Sequence, residues 1–435
     1  THVAAGADVL AGTAQMVVGA IGVAEEKGAL WFGTQASQTS LAPDIIVANQ
    51  VYDWTVVLDD MVSLIKSGTY GGKAYSITLK NKGLLIEYND GYALPEDVKT
   101  LAQKTIDGII AGSIDAGESG VPEQEALPTF EDTFRVAVIM PSAINDLAFS
   151  QSIYDALVAI QTEMGGPDKM ELVYSESMFV VDDAAAAIRD YAANGYDLVI
   201  AHGSQYGSSL REIAPDFPET SFAHGTTVDT FVEEGINNVF AYEAASNQGG
   251  YVNGVMAGKL TTSNVIGVVG PIETGDAKLY IDGFVNGVNA SNPDAQVNVN
   301  YIGSFSDVAL ASEAANTHVA AGADVLAGTA QMVVGAIGVC EEKGALWFGT
   351  QASQTSLAPD IVVANQVYDW TVVLRDMLNL IAEGTYGGQA YAITLENGGL
   401  VMEYNADYAL PEDVKALADE TVAGIIGGSI TTGIE

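Results

Sequence analysis

One stretch of this chain occurs twice. Thr1–Ile114 returns as Thr317–Ile430 at a constant offset and without gaps, and the first 45 residues of the two copies differ only at Ala24/Cys340. Later differences, among them Asp59/Arg375, Lys66/Ala382, Lys80/Glu396 and Lys104/Glu420, mostly alter charge, while apolar positions such as Leu64/Leu380 and Tyr88/Tyr404 are kept. This is the pattern of a duplicated segment drifting on its solvated face. The stretch between the copies, Asp115 to Asn316, occurs once. The leading copy is therefore expected to pack against a lobe like Phe134–Asn316 that comes from residues before Thr1, from a neighbouring chain, or from this chain with the trailing copy displaced.

Asp115–Asp132 carries Gly117, Gly120, Pro122, Pro128 and six acidic residues, too polar and too broken to hold a core, and is expected to be a linker. After it, short apolar runs alternate with helical patterns. Arg135–Met140, Met170–Tyr174, Asp197–Ala201, Thr220–Ala223, Val239–Tyr242, Val265–Val269, Val297–Ile302, Ala323–Leu326 and Ala345–Phe348 read as buried parallel strands. Ile153, Leu157, Ile160 and Met164 recur at the 3.6-residue period of a helix lying on a sheet. Tyr391–Leu395 and Leu400–Tyr404 flank Glu396-Asn397-Gly398-Gly399 as an expected hairpin, before a last helix from Pro411 to about Ile426. The expected class is α/β, two doubly wound parallel-sheet lobes. The expected divisions are residues 1–114, an incomplete half-domain repeating the C-terminal half of a binding domain; 115–132, the linker; and 133–430, a complete two-lobed domain.

Composition narrows the function. Fifty-six acidic against sixteen basic residues leave a formal charge of -40, which repels phosphate backbones, so no nucleic-acid partner is expected. Such acidity is first a solubility device for a salty or exposed setting. The single cysteine, Cys340, excludes an intrachain disulfide and a thiolate metal site, and alanine at the equivalent Ala24 marks it as a buried, inert thiol. No apolar run approaches the length of a membrane span.

In doubly wound sheets ligands sit beyond the carboxyl ends of the strands, so the loops there supply the candidates. After the first strand, Asn145 or Asp146 can cap the next helix and direct backbone N–H groups at the crevice, and Phe149 one turn on is either core or a stacking platform. Later loops contribute His202, Gln205 and Tyr206 within His202-Gly203-Ser204-Gln205-Tyr206-Gly207, then His224, Thr274, Thr329 and Gln351. Side chains of these kinds bind a polar ligand through neutral hydrogen bonds without activating it. The chain has no Gly-x-Gly-x-x-Gly after the first strand, no Walker loop, no nucleophile elbow and no His/Asp/Glu cluster at metal spacing. A binding protein is expected, with no catalytic residues, no cofactor and no metal.

Several separated motifs resemble one family. Ile144-Asn145-Asp146, Phe149-Ser150-Gln151, Tyr154-Asp155, Asp197 to Gly203, Gly283-Phe284-Val285-Asn286-Gly287-Val288, Asn292-Pro293-Asp294, Gly322-Ala323-Asp324-Val325, Leu357-Ala358-Pro359-Asp360 and Trp370 follow one another as in the basic membrane protein family, nucleoside-binding lipoprotein receptors of ABC importers. The resemblance covers about Phe134–Ile430, and Thr1–Ile114 again for the family's C-terminal part. It implies a type I periplasmic-binding-protein fold with three crossovers, an extracytoplasmic setting, an ABC permease as partner, and a small-molecule ligand, often a purine nucleoside held between aromatic rings. Phe149 matches the family's stacking aromatic. Gln351 and His224 stand where many members carry acidic residues for the ribose and the base, which brings a nucleobase or another heterocycle in as an expected ligand beside the nucleoside. A second expectation is a structural role, in which residues 1–114 engage a neighbouring copy through exchanged lobes. Sugar-sensing regulators of the same fold fit poorly, since the chain has no helix-turn-helix and is strongly acidic.

Overall fold

A computed structural model describes residues 3, 6–13, 17–66, 75–110 and 126–434. The chain divides into two compact units, Thr1–Gly120 and Val121–Glu435. Of the expected linker, residues 115–125 lie outside the described residues.

The first unit holds β1 (Val9–Ala11), α1 (Val17–Lys27), β2 (Leu30–Gln35), β3 (Ile46–Tyr52), α2 (Thr55–Lys66), β4 (Leu84–Tyr88) and α3 (Glu96–Ile110). Its sheet runs β1-β2-β3-β4, the last strand antiparallel. The core is small: Val17, Ile21 and Ala24 of α1 lie against Trp31, Ala42, Ile45 and Ile46.

The second unit contains β5 (Phe134–Ile139), α4 (Phe149–Glu163), β6 (Met170–Ser175), α5 (Val181–Ala193), β7 (Leu198–Ala201), α6 (Gly207–Ile213), β8 (Ser221–Gly225) and β9 (Val239–Ala244). It continues with α7 (Asn247–Leu260), β10 (Val265–Gly270), α8 (Gly275–Ser291), β11 (Gln296–Tyr301), α9 (Val308–Ala320), β12 (Val325–Gly328), α10 (Val333–Lys343), β13 (Leu346–Gln351) and β14 (Val362–Tyr368). Last come α11 (Thr371–Ala382), β15 (Ala390–Ile393), β16 (Leu400–Tyr404) and α12 (Glu412–Ile426). Two six-stranded sheets form, β15-β9-β8-β7-β5-β6 and β11-β10-β12-β13-β14-β16, parallel except for β16. All nine expected strands are present, their ends moved by three residues or fewer.

The expected hairpin does not form. β15 pairs in parallel with β9 in the first sheet, while β16 pairs antiparallel with β14 in the second. Asn397 instead organises a turn that carries the chain between lobes: its Oδ1 accepts from the N–H groups of Thr394 and Gly399, and its Nδ2 donates to the Ala392 carbonyl. The chain thus passes between the sheets three times, after β9, after β14 and between β15 and β16.

β14 lies outside the nine expected strands, and Asn365-Gln366 interrupts its apolar run. Both are buried and hydrogen-bonded: Asn365 accepts from Gln354 N and donates to Thr355 and Glu403, and Gln366 joins Thr350 to the Ser246 carbonyl. In the second lobe, α7 and α8 approach closely across glycines. A methyl group on Gly254 would lie 2.1 Å from the Phe284 carbonyl oxygen, and one on Gly287 would lie 2.0 Å from that of Tyr251.

The second pass sends α11 onto α4 of the first lobe. Leu374, Met377, Leu378 and Ile381 are buried there, each contributing about 1.5–3 kcal/mol relative to exposure. Trp370 Nε1 donates to Ser152 Oγ at 2.9 Å. Arg375 grips Glu163 at the end of α4 with both terminal nitrogens, Nη1 to Oε1 at 2.7 Å. In the second lobe, Asp324 fixes the loop after α7. Burial works against its charge, but hydrogen bonds from the Thr261 and Thr262 hydroxyls and the backbone of Thr262 and Ser263 hold its pKa at about 2. A depressed carboxylate stabilises the fold above its ordinary value of 3.8, and that stability is lost as pH falls toward 2. Asp324→Asn is expected to lose about 1 kcal/mol at pH 7, the shift being discounted for solvent screening of a partly exposed group, and to approach wild type near pH 2 in denaturant titrations. Equal stability of the two proteins at pH 7 would contradict this account.

Candidate ligand-binding site

The carboxyl ends of the parallel strands in the second unit face a shared cavity of about 300 Å³. Its first-lobe wall is made by Pro141, Phe149, Phe179, Val181, Gln205 and Thr226, following β5, β6, β7 and β8. The second-lobe wall is made by Asp276 and Ala277 in the first turn of α8, Phe305, Ala330, Gln331 and Gln351. Gln354 Nε2 reaches the Leu147 carbonyl at 3.4 Å, joining loops from the two lobes.

Phe149 is fixed from behind. Its ring stacks on His202 with centroids 3.7 Å apart and planes at 14°. His202 is held in turn by Tyr242 Oη at 2.7 Å from Nδ1 and by the Phe149 carbonyl at 3.1 Å from Nε2. Burial lowers the His202 pKa to about 3, against the Phe149 hydrogen bond, so the imidazole is neutral at physiological pH. The arrangement presents one face of a rigid aromatic ring to the cavity.

The opposite wall is polar. Gln351 is buried, its side-chain amide bonds to the Asp276 carboxylate, and its Oε1 has no partner within the described residues. Tyr368 Oη also donates to Asp276, at 3.3 Å. Burial raises the Asp276 pKa, with the Gln351 and Tyr368 hydrogen bonds opposing. Among the described residues Asp276 is the one ionisable side chain on the cavity wall, and none there is a cation that could receive a phosphate. Thr226, Ala330 and Gln351 have φ of 58°, 76° and 75°, a left-handed backbone that costs non-glycine residues energy. Such strain gathers at sites where the surrounding structure over-determines it.

Of the ten candidates from the sequence, Phe149, Gln205 and Gln351 line the cavity. Asp146 caps α4, accepting from the N–H groups of Ala148, Ser150 and Gln151, and Asn145 is exposed beside it. His202 supports Phe149, and Tyr206 is a core residue whose hydroxyl donates to the Met178 carbonyl. His224 is buried with its pKa lowered by burial, Thr274 is exposed at the start of α8, and Thr329 is fully buried. After β8 and β12 the cavity is lined by Thr226, itself left-handed, and by Gln331, which follows left-handed Ala330, and not by His224 or Thr329. Asp276, Phe179 and Phe305 were missed altogether. Asp276 carries no distinctive signal in the sequence, since a carboxylate in the first turn of a helix is an ordinary helix-stabilising residue. Among the described residues no group of three or more His, Cys, Asp or Glu could hold a metal ion. Cys340 is buried, and burial raises its thiol pKa to about 12.

A family model described as Bmp, ABC transporter substrate-binding protein PnrA-like, matches residues 133–433. A purine-binding protein of Brucella abortus is 28% identical over 263 residues, 60% of this chain and 73% of that protein. A putative ABC transporter glucose-binding protein of Haloferax volcanii is 24% identical over 299 residues, 69% of this chain and 72% of that protein. The solved structure of an ABC transporter solute-binding protein from Conexibacter woesei superposes with a TM-score of 0.58 at 24% identity, covering 69% of this chain and 98% of its own.

Asp276 provides a test of the site's electrostatics. A carboxyl with a raised pKa favours the folded state below its ordinary value, and that contribution is lost as pH rises through the folded value. Asp276→Asn is therefore expected to raise the melting temperature at pH 7, with the gain shrinking as pH falls below 4. A lower melting temperature at pH 7 would show instead that the Gln351 and Tyr368 hydrogen bonds dominate.

Proposed function

Because this chain belongs to the Bmp family of PnrA-like substrate-binding proteins of ABC transporters, which bind solutes and are not enzymes, we propose that its two-lobed part, residues 133–430, captures a small heterocycle of the purine nucleoside or nucleobase kind. The observation that carries the reading is the pairing of the buttressed Phe149 ring on one wall with Asp276 and the unpartnered Gln351 Oε1 on the other. A flat ring stacks on Phe149, and its N–H or hydroxyl groups donate to the two acceptors. Nucleotides are disfavoured because the only charge on the wall is negative. The purine-binding relative from Brucella supports the same class.

Closure of the lobes on the ligand, bridged already by Gln354 and Leu147, presents both lobes to an ABC permease in an extracytoplasmic setting. Among the described residues no helix is long and apolar enough to cross a membrane. The carboxylate that the family pattern places after β13 is supplied here from α8, so Gln351 in that position does not leave the wall without one.

Native mass spectrometry of the purified protein, followed by calorimetric titration with adenosine, guanosine, adenine and glucose, tests the reading. A purine nucleoside or base is expected to bind, and Phe149→Ala to weaken it by about 1–3 kcal/mol, the range for base–aromatic stacking. Binding of glucose without purines would overturn the ligand class, and unchanged affinity in a folded Phe149→Ala protein would remove stacking from the mechanism.

A further inference from the structure

Both walls of the cavity lead back to one tripeptide. Behind the first-lobe wall, Phe149 stacks on His202, and the His202 ring meets the Trp370 indole edge to face, with centroids 5.8 Å apart and planes at 84°. Tyr242, whose hydroxyl holds His202, meets the same indole at 5.1 Å and 73°. Behind the second-lobe wall, Asp276 accepts from Tyr368 Oη at 3.3 Å. Tyr368 and Trp370 are themselves in edge contact, 5.5 Å apart at 85°. A chain of packed groups therefore runs from Phe149 through His202, Trp370 and Tyr368 to Asp276.

Tyr368-Asp369-Trp370 is also the second passage of the chain between the lobes, and it is stiff. Asp369 Oδ1 accepts from the N–H and hydroxyl of Thr371, and the Asp369 N–H donates at 2.8 Å to the carbonyl of Gly399 in the third passage. The leading copy repeats this set. Tyr52 and Trp54 lie 6.1 Å apart at 87°, Asp53 holds Thr55 in the same way, and its N–H donates to Gly83 at 2.8 Å. The internal geometry of the tripeptide is thus set by its own local sequence, and it moves as one piece. Tyr368 and Trp370 are both buried, and Trp370 is anchored to Ser152 on α4. In an interior packed this closely one ring cannot turn without its neighbours. A shift of Asp276 toward a ligand donor pulls on Tyr368, and Trp370 carries that displacement to the stack beneath Phe149.

We propose that Tyr368 is a positioning residue for ligand capture: its hydroxyl ties the second-lobe wall to the hinge passage whose Trp370 backs the first-lobe wall, so that a group seated on one wall orders the other. The inference rests on the cavity being the ligand site, and not on the ligand being a purine.

Spatial continuity alone does not establish coupling, so the test measures it. The full chain labelled with 5-fluorotryptophan carries four fluorine probes, assigned by single Trp→Phe replacements. In ligand-free protein Asp276→Ala is expected to move the Trp370 resonance by more than its linewidth, and to leave it in place when Tyr368→Phe is also present. Phe149→Leu, which reaches the indole through His202, is expected to move the resonance in both backgrounds, showing that the probe still reports. Calorimetric titration with guanosine and adenosine supplies the second arm. The losses from Phe149→Leu and Asp276→Ala are expected to combine non-additively by about fivefold in the presence of Tyr368, and additively in the Tyr368→Phe chain. Three outcomes would overturn the inference: a Trp370 resonance that ignores Asp276→Ala, one that moves equally with and without the Tyr368 hydroxyl, or a non-additivity that survives Tyr368→Phe. If the Tyr368→Phe chain folds poorly, Asp276→Ala in the otherwise unchanged chain decides, an unmoved resonance ending the inference and a moved one upholding it. If neither nucleoside binds, the purine reading falls, while the fluorine arm needs no ligand and still decides the coupling.

Discussion

Neither lobe of the two-lobed unit is made from one continuous stretch, and everything else in the molecule follows from how the stretches interlock. The segment after β14 supplies α11 and β15 to the first lobe, then returns with β16 and α12 to the second. Trp370 on Ser152 and Arg375 on Glu163 pin the first of these transfers. Removing the C-terminal half would strip an edge strand and a helix from one sheet while taking most of the other. The same segment repeated at the front of the chain shows what remains without its counterpart: a four-stranded sheet with one small core and a largely unburied pair of helices.

Interlocking also places the site. Both sheets direct their carboxyl-terminal loops at one cavity, and the three crossings act as the connection about which such lobes close. The two walls carry different burdens. On one, stacking of His202 behind Phe149 makes the ring rigid at the expense of keeping an imidazole neutral and buried. On the other, a carboxylate is kept where burial disfavours its charge, beside an amide oxygen without a partner. Neither arrangement benefits an empty cavity. The unpartnered Gln351 Oε1 is an acceptor that an incoming donor can satisfy, and the rigid Phe149 ring is a face it can stack on.

Much of the fold was legible because buried parallel strands announce themselves as short apolar runs, and the family's motifs fixed their order. The readings that failed did so where tertiary structure overrides local pattern. Leu400–Tyr404 and the run before it look like a hairpin, since a Gly-rich turn joins two apolar segments. Nothing local says that they belong to different sheets. Asn365 and Gln366 hid β14 because satisfaction of their amides depends on loops distant in sequence. At the site, strand ends were found but side-chain directions were not, for left-handed residues at Thr226, Ala330 and Gln351 leave no compositional trace.

Gln35 and Gln351 separate what the sequence encodes locally from what needs a partner. Their φ angles are 74° and 75°, so the strained turn at the end of the strand is reproduced in both copies. Trp31 and Trp347 likewise make the same indole hydrogen bond, to Gln38 and Gln354. These features close over a few residues. Burial of Gln351 beneath the other wall is not reproduced, and Gln35 is exposed. Local geometry is thus carried by the half alone, while a binding site appears only when a second half supplies the facing wall. A duplicated half therefore carries the strained turn and the indole contact by itself, whereas the burial of Gln351 depends on groups far away in the sequence.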